Sequence, residues 1–259
     1  MAKRKMKAVV TAQTCISEGI YSMWLRFPEE YPVAEEAVCG QFISMYTAEG
    51  SRLLPRPISI CEIHRQENML RVVYRVVGEG TKEFSKKQAG DIIEVVGPLG
   101  NGFPKETGKR AVVIGGGIGI PPMLQLAKEL KDCQVTVVLG YRDCLFLNEE
   151  FAPYAQVVVA TEDGSAGTKG NVIDAMRENQ IEADIIYACG PKPMLRGVRD
   201  YANEKKIKAY ISMEERMACG VGACLACVCQ TKETDEHSQV HNKRICKDGP
   251  VFEANEIEL

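Results

Sequence analysis

Four cysteines near the end of the chain have a spacing that can do chemistry. Cys219, Cys224 and Cys227 follow the pattern C-x4-C-x2-C, and Cys246 comes after a further gap of 18 residues. Four thiolates in this plant-type spacing are what a [2Fe–2S] cluster takes from a protein. Glycines between the first two cysteines let the loop curl around the sulfides. The pattern therefore predicts an electron carrier, with Cys229 as a small buried residue outside the ligand set.

Zinc is the alternative that the same cysteines leave open. Cys224, Cys227 and Cys246, together with His237 or His241, would make a Cys3His site. Zinc sites usually present two cysteine pairs of the Cys-x2-Cys kind, however, and the chain has only one. A disulfide framework is disfavoured, because the chain is far longer than the small secreted domains that need one. The spacing favours the two-iron cluster.

A glycine loop in the middle of the chain suits a dinucleotide. Gly115, Gly116, Gly117 and Gly119 follow a short apolar run and precede a pair of prolines that can open a helix. Strand, glycine loop and helix form the start of a dinucleotide-binding unit, in which the helix N-terminus faces the phosphates. Pro122 replaces the third glycine of the G-x-G-x-x-G fingerprint, so the loop differs from that of common dehydrogenases.

Polar residues after two later strands predict the rest of this nucleotide site. Glu162 and Asp163 end a predicted strand, where acids repel a 2′-phosphate and bind ribose hydroxyls, which favours NAD over NADP. A solvated turn is the alternative explanation of the two acids. Cys189 and Gly190 begin another strand-to-helix loop at the same edge of the predicted sheet. We expect them beside the nucleotide, although a plain helix start has the same composition.

Three segments of the first hundred residues carry groups suited to a flavin dinucleotide. An arginine fork can hold a phosphate, and a serine hydroxyl can meet a flavin ring nitrogen. Glycine at a helix N-terminus lets a pyrophosphate reach the free N–H groups. The expected contacts are Arg56, Pro57, Ile58 and Ser59 in the first segment, Val73, Tyr74 and Arg75 in the second, and Gly80 and Thr81 in the third. The R-P-x-S match is short, and a surface arginine on an edge strand also explains it.

The elements that must position these groups change character along the chain. Between Ala8 and Gly97, short alternating runs separated by Gly and Pro predict an antiparallel β-barrel or sandwich, interrupted by a helix at Thr81–Lys87. From Lys109 on, apolar strands alternate with helices, which predicts a parallel α/β domain. The predicted strands of the first region include Met23–Phe27, Gln41–Tyr46, Ile58–Ile63, Leu70–Val77 and Asp91–Val96; those of the second are Arg110–Ile114, Val135–Gly140, Gln156–Thr161, Asp184–Ala188 and Lys208–Met213.

Composition and charge exclude several classes of function. The chain has 259 residues, of which 45% are hydrophobic and 26% are charged, enough for more than one domain with its own core. A net charge of −3 provides no basic surface for nucleic acid. No apolar stretch is long enough to span a membrane, and the basic residues 1–7 are not followed by the apolar part of a signal peptide. We therefore expect a cytoplasmic protein without a membrane segment.

The order of the motifs resembles a known family. R-P-I-S, G-E-G-T, G-G-G-I-G-I-P-P and C-G-P-K-P-M together are similar to the ferredoxin-NADP reductase superfamily over about residues 8–213. With the segments 214–229 and 245–252 added, the whole chain resembles the electron-transfer subunits of class 1B dihydroorotate dehydrogenases. The resemblance implies a multi-domain α+β chain: an FAD-binding barrel at 1–104, an NAD-binding α/β domain at 105–213 and a [2Fe–2S] module at 214–259.

The resemblance also implies what the chain does. A separate catalytic subunit holds FMN, in a heterotetramer with two of each subunit, and oxidises dihydroorotate during UMP synthesis. Electrons then pass through the [2Fe–2S] cluster and FAD of this chain to NAD⁺, and no residue of this chain acts as a catalytic acid or base. Val221, Leu225 and Phe252 flank the expected ligands and are candidate contacts to that subunit; packing of the small cluster domain is the alternative role for them. Ile58 stands where the superfamily has a flavin-stacking tyrosine, which leaves Tyr74 as a substitute.

Two other functions remain open at this point. The chain is also compatible with an NAD(P)H:ferredoxin-type reductase subunit of another flavin and iron–sulfur complex, which would share the barrel and the nucleotide domain. A zinc-stabilised regulatory protein that senses a nucleotide is the non-enzymatic alternative, and it predicts a colourless protein. Flavin and iron content would distinguish the zinc-stabilised regulatory protein from both electron-transfer functions. The identity of the co-purifying partner would distinguish the dihydroorotate dehydrogenase subunit from a subunit of another flavin and iron–sulfur complex.

Overall fold

The chain begins with a closed antiparallel β-barrel. In a computed structural model, which describes residues 4–48, 50, 52–232, 234 and 240–259, it is built from β1 (Lys5–Ser17), β2 (Ile20–Arg26), β3 (Phe42–Tyr46), β4 (Arg56–His64), β5 (Met69–Arg75) and β6 (Ile92–Leu99). The strands pair in the order β1-β2-β5-β4-β3-β6, and β1 closes onto β6. Two short helices, α1 (Val33–Glu36) and α2 (Glu79–Phe84), lie between strands. The predicted N-terminal barrel is confirmed.

Alternating side chains close the barrel around its own core. In β1, Met6, Ala8 and Val10 are buried while the residues between them are exposed. The sequence prediction omits this strand of 13 residues. Its exposed positions include Lys5, Lys7 and Thr14, so only half of its residues report the core. The strand is stabilised by pairing with both β2 and β6, which local periodicity does not reveal.

A parallel sheet with helices follows the barrel. Its strands are β7 (Arg110–Gly116), β8 (Gln134–Tyr141), β9 (Gln156–Thr161), β10 (Thr168–Lys169), β11 (Ile185–Cys189) and β12 (Lys208–Ser212). The connecting helices are α3 (Pro121–Glu129), α4 (Asn148–Phe151), α5 (Val172–Glu178) and α6 (Lys192–Lys205). The five predicted strands are all present, and the two-residue β10 is an addition. Among the described residues, no helix is both long enough and apolar enough to cross a membrane.

The last part of the chain forms the cysteine loop, a hairpin and a returning strand. β13 (Val228–Gln230) pairs antiparallel with β14 (Asn242–Arg244) to form the hairpin. β15 (Val251–Glu253) then pairs antiparallel with β12, so the sheet reads β10-β9-β8-β7-β11-β12-β15. Phe252 in β15 is 3% exposed and packs in the core of this sheet. Of the two roles considered for Phe252, the structure supports packing within the chain and not contact with a partner subunit.

A buried network of charges joins the barrel to the sheet domain. The guanidinium of Arg71 on β5 binds Glu62 on β4 and Glu150 on α4, and Lys128 on α3 pairs with the same Glu62. Burial by itself raises the pKa of Glu62, but the two cations outweigh it and hold that pKa below its usual value. Two carboxylates thus join the barrel to the sheet domain: Glu62 binds Lys128 of α3, and Glu150 of α4 binds Arg71 of the barrel.

Candidate cofactor and cluster sites

The cysteine loop between β12 and β13 brings two of the four predicted ligands together. The sulfur of Cys219 accepts hydrogen bonds from the backbone N–H groups of Val221 (3.4 Å) and Ala223 (3.2 Å), and the sulfur of Cys224 accepts one from the N–H of Cys219 (3.4 Å). The loop can turn this tightly because Gly220 has φ +69°, a left-handed conformation that favours glycine. Backbone donors thus converge on sulfur.

The other two predicted ligands form a second pair. The sulfur of Cys227, at the end of the loop, accepts a hydrogen bond from the N–H of Cys246, at 3.4 Å. The hairpin of β13 and β14 makes this meeting possible, since it returns the chain to the residue after β14. A [2Fe–2S] cluster places two irons between four thiolates, two on each iron, so two adjacent pairs are a suitable donor set.

The residues considered for zinc are only partly described by the structure. Among the described residues, no three side chains of His, Cys, Asp or Glu are arranged to hold a metal ion, and this applies to the cluster cysteines as well. The His241 ring, one of the two imidazoles considered for zinc, lies 3.0 Å from the Thr234 hydroxyl. His237, the other, lies outside the described residues. Cys229 is buried on β13, where its thiol faces the Lys243 carbonyl, which confirms the prediction of a small buried residue.

Cys219 and Cys246 differ in the pKa of their thiols. Burial raises the pKa of the Cys219 thiol, but the N–H donors of Val221 and Ala223 and its contact with Cys224 outweigh burial and lower that pKa to about 6. Burial and the neighbouring Cys227 raise the pKa of Cys246 to about 12. Cys219 is therefore a thiolate at neutral pH before any metal binds, whereas Cys246 must release its proton as it becomes a ligand.

The predicted flavin segments meet on the barrel surface. Arg56 at the start of β4 lies against the first turn of α2, where any side chain at Gly80 would collide with the guanidinium. Arg56 also donates a hydrogen bond of 2.6 Å to the Leu54 carbonyl. Thr81 is buried, and its hydroxyl accepts hydrogen bonds from the N–H groups of Val77 and Gly78. The structure thus brings the first and third flavin segments together.

The middle flavin segment presents Arg75 and hides Tyr74. The Tyr74 ring is 1% exposed, stacks on Tyr21 with centroids 6.0 Å apart and donates its hydroxyl to the Gln13 side chain at 2.9 Å. It also packs edge-on against Phe84. The Tyr74 ring therefore belongs to the barrel core. It does not take over the role of the flavin-stacking tyrosine, whose position is occupied by Ile58 in this chain. Flavin contacts from position 74 would have to come from the backbone.

The glycine loop after β7 and the loop after β11 lie against each other. Any side chain at Gly119 would collide with the backbone of Cys189 and Gly190, and one at Gly116 would collide with Met194. Packing therefore requires glycine at 119, where the obstacle is backbone, whereas at Gly116 the obstacle is the flexible end of the Met194 side chain. Gly117 differs, because it has φ +52° and open space around its α-carbon. Of this loop, Gly117 is the position that leaves room for a ligand.

A cavity of about 340 Å³ separates the glycine loop from the end of the barrel. It joins Arg75 and Gly117, which the sequence predicts, to residues that the prediction omits. The added lining residues are Ser17, Glu18, Ile20, Tyr141, Arg142, Asp143, Cys144 and Phe146. Tyr141 is the last residue of β8, and Arg142, Asp143 and Cys144 come directly after it. They therefore lie at the carboxyl edge of the sheet, where parallel sheets bind ligands. The same rule that selected Glu162 would have found them.

The two acids after β9 are exposed and unequal. The Asp163 carboxylate accepts hydrogen bonds from the N–H and the hydroxyl of Ser165, which hold its pKa below the usual value. The Glu162 carboxylate makes no hydrogen bond with any described residue. The Glu162 carboxylate can therefore face a ligand, whereas the Asp163 carboxylate is already hydrogen-bonded to Ser165 within the turn. Cys189 at the end of β11 stays a neutral thiol, because burial raises its pKa to about 12.

The fold and these sites define an oxidoreductase of the ferredoxin-NADP reductase type. The structure matches one described as "Insights into flavin-based electron bifurcation via the NADH-dependent reduced ferredoxin-NADP oxidoreductase structure", with a TM-score of 0.87 and 31% identity over 100% of this chain and 91% of the other. A ferredoxin NADP⁺ reductase from Neisseria gonorrhoeae with bound FAD and NADP shares the fold, with a TM-score of 0.66 and 18% identity over 84% of this chain and 96% of the other. The model of the oxidoreductase NAD-binding domain matches residues 113–200.

The C-terminal residues identify the family within this type of oxidoreductase. Residues 214–258 match the model of the iron–sulfur cluster binding domain of dihydroorotate dehydrogenase B. The electron transfer subunit of dihydroorotate dehydrogenase B (NAD(+)) from Geobacillus sp. (strain WCH70) is 43% identical over 100% of both chains, and that from Caldanaerobacter subterraneus is 42% identical over 98% of both. The chain belongs to the family of dihydroorotate dehydrogenase B electron transfer subunits.

Proposed function

We propose that this chain passes electrons between the catalytic subunit of a dihydroorotate dehydrogenase and NAD⁺, in pyrimidine biosynthesis. One juxtaposition carries the proposal. Gly220 of the cysteine loop packs on Ser44 of β3, and Ser44 is paired directly opposite Pro57 of the flavin segment. The cavity with Arg75 and Gly117 lies at the interface of the barrel and the sheet domain. The barrel therefore stands between a cluster site and a nucleotide site.

The residues of the chain bind and separate the reactants. Cys219, Cys224, Cys227 and Cys246 would hold a [2Fe–2S] centre, whereas the R-P-I-S, V-Y-R and G-T segments would hold FAD. When bound, these groups supply the conversion between one-electron and two-electron transfer. Gly117 leaves space for the nicotinamide nucleotide, with Gly115, Gly116, Gly119, Cys189 and Gly190 shaping the loops beneath it. The exposed acids after β9 disfavour a 2′-phosphate and so favour NAD.

The proposal extends to the partner and the location. We propose a catalytic subunit that carries FMN, two of each subunit in the assembly, and division of this chain into domains at 104 and 213. Val221 and Leu225 remain exposed on the cysteine loop, at 38% and 63%, and are the candidate contacts. All eleven cysteines are free of disulfides, which supports a reducing, cytoplasmic location.

Purified chain tests the proposal. We expect flavin absorption, about two iron and two sulfide per chain as a [2Fe–2S] centre requires, and NADH oxidation with artificial electron acceptors. Dihydroorotate oxidation should appear only when the catalytic subunit is co-purified. Dihydroorotate oxidation by this chain alone would refute the division of labour, and a colourless protein containing zinc would refute the electron-transfer function.

A second function is supported by one observation. The 31% identical structure, matched over the full length of this chain, belongs to a NADH-dependent reduced ferredoxin-NADP oxidoreductase. A reductase subunit in another flavin and iron–sulfur complex is therefore the second candidate. Affinity purification from the native cell separates the two, because the first candidate requires an FMN subunit that oxidises dihydroorotate and the second requires a different partner.

A further inference from the structure

Ser44 is buried on the outer face of the barrel, beneath the cysteine loop. It lies on β3 and is 1% exposed, and its hydroxyl makes no hydrogen bond with any described residue. Its neighbours Ile43 and Met45 belong to the core inside the barrel, so the Ser44 side chain points outward. A buried hydroxyl without a partner is unfavourable, and each such atom in a folded protein calls for an explanation.

The group that faces the Ser44 hydroxyl is the first turn of the cysteine loop. A β-carbon at Gly220 would lie 2.8 Å from the Ser44 oxygen, so only glycine at that position allows this approach. Gly220 follows Cys219, whose sulfur already accepts hydrogen bonds from the N–H groups of Val221 and Ala223. The hydroxyl therefore reaches the loop at the end where donors already converge on sulfur.

We propose that the Ser44 hydroxyl donates a hydrogen bond to sulfur at the Cys219 end of the iron–sulfur centre, and so tunes the reduction potential of the centre. The inference rests on the proposed function, because it requires the centre to be bound. Hydrogen bonds to cluster sulfurs are among the properties that set the reduction potential. A donor stabilises the additional negative charge of the reduced form, so Ser44 raises the potential.

The Ser44→Ala variant of the full-length chain tests this role. One redox titration follows the cluster by electron paramagnetic resonance and the flavin by absorbance. We expect the reduction equilibrium of the cluster to shift toward the oxidised form by up to about tenfold, ~59 mV for a one-electron couple. Iron and sulfide content and the flavin titration should stay as in the unsubstituted chain. Ser44→Thr keeps the hydroxyl and should restore the potential.

Ser22→Ala is the matched control. Ser22 is the same residue type, buried in the same barrel, but its hydroxyl already accepts a hydrogen bond of 2.8 Å from Arg71. We expect this variant to lower thermal stability and leave the cluster potential unchanged. An unchanged potential in Ser44→Ala, a shift in the flavin alone, or loss of the cluster would each overturn the role of Ser44. Absence of iron from the unsubstituted chain would instead overturn the proposed function.

Discussion

At the scale of single residues, the same residue type serves different purposes within one motif. Gly119 is glycine because the backbone of the neighbouring loop leaves no room for a β-carbon, whereas Gly117 borders open space. Substitution at Gly119 would disturb packing, and substitution at Gly117 would disturb binding. A motif therefore marks the place of a site without saying which of its members touch the ligand.

Coenzyme preference should depend on Glu162. We expect Glu162→Gln to raise kcat/KM for NADPH by about tenfold, or ~1.4 kcal/mol, because the change removes a negative charge that repels a 2′-phosphate. Steady-state kinetics with NADH and NADPH and an artificial acceptor measure the ratio. Asp163→Asn is the comparison: Ser165 holds the Asp163 carboxylate in its own turn, so the ratio should change less than in Glu162→Gln. Equal responses in both variants would count against the assignment.

Cys224 and Cys229 should differ in whether the cluster depends on them, because only Cys224 is an expected ligand. We expect Cys224→Ser to lose most of the bound iron and sulfide, because one thiolate of an exposed pair is removed. Cys229→Ser should retain about two iron per chain, since its buried thiol faces the Lys243 carbonyl. Iron and sulfide analysis of anaerobically purified variants makes the comparison. Iron loss in Cys229→Ser alone would show that the ligands have been exchanged.

At the scale of elements, β4 serves two sites. Its first residues carry the flavin segment, and its later residues contact α3 of the sheet domain through Glu62 and Lys128. The helix that begins just after the glycine loop therefore packs on the strand that begins with Arg56. Because both ends of this contact are regular elements, the distance between the nucleotide loop and the flavin segment is held by packing, not by a linker.

The charge network at this contact predicts a pH-dependent stability. The pKa of Glu62 is depressed in the folded protein, so its contribution is present above the ordinary value and is lost as pH falls through the folded-state pKa. We expect Glu62→Gln to lower the free energy of unfolding by about 2 kcal/mol at pH 7. The difference from the unsubstituted protein should shrink as the pH falls below about 4. Urea unfolding at several pH values measures it.

An exposed ion pair provides the control for that measurement. Glu182 pairs with Arg110 at the protein surface, and the Glu182 side chain is 77% exposed. Glu182→Gln should change stability by less than about 1 kcal/mol. If the two glutamine variants were equally stable at pH 7, the buried network would not be what holds the two domains together.

At the scale of the whole molecule, the barrel lies between the cysteine loop and the glycine loop. The cysteine loop packs on one side of it, and the cavity with the glycine loop lies at its contact with the sheet domain. Barrel residues also share hydrophobic cores with the sheet and with the cysteine module. The three parts therefore form a continuous packed structure, which suits transfer between centres at fixed separation.

Assembly with the catalytic subunit should depend on the exposed cysteine loop. We expect Leu225→Asp to weaken association with that subunit at least about tenfold, while NADH oxidation with artificial acceptors is retained. Leu225 has φ +57°, a conformation that Asp adopts more readily than Leu, so the change should not disturb the loop. Ile92→Asp, at another exposed apolar position, should bind normally. Calorimetric titration of the two subunits compares them.

The sequence by itself determined what is local. Cysteine spacing, the order of strand, glycine loop and helix, and the five apolar strands of the sheet depend on residues close together in the chain, and each has its own periodicity or spacing. Tertiary structure decided what depends on neighbouring elements far apart in sequence. Closure of the barrel buries Tyr74, pairing of β15 with β12 at the edge of the sheet buries Phe252, and the cysteine loop packs on Ser44. Local patterns report burial and turns, but which surfaces meet depends on how whole elements pack.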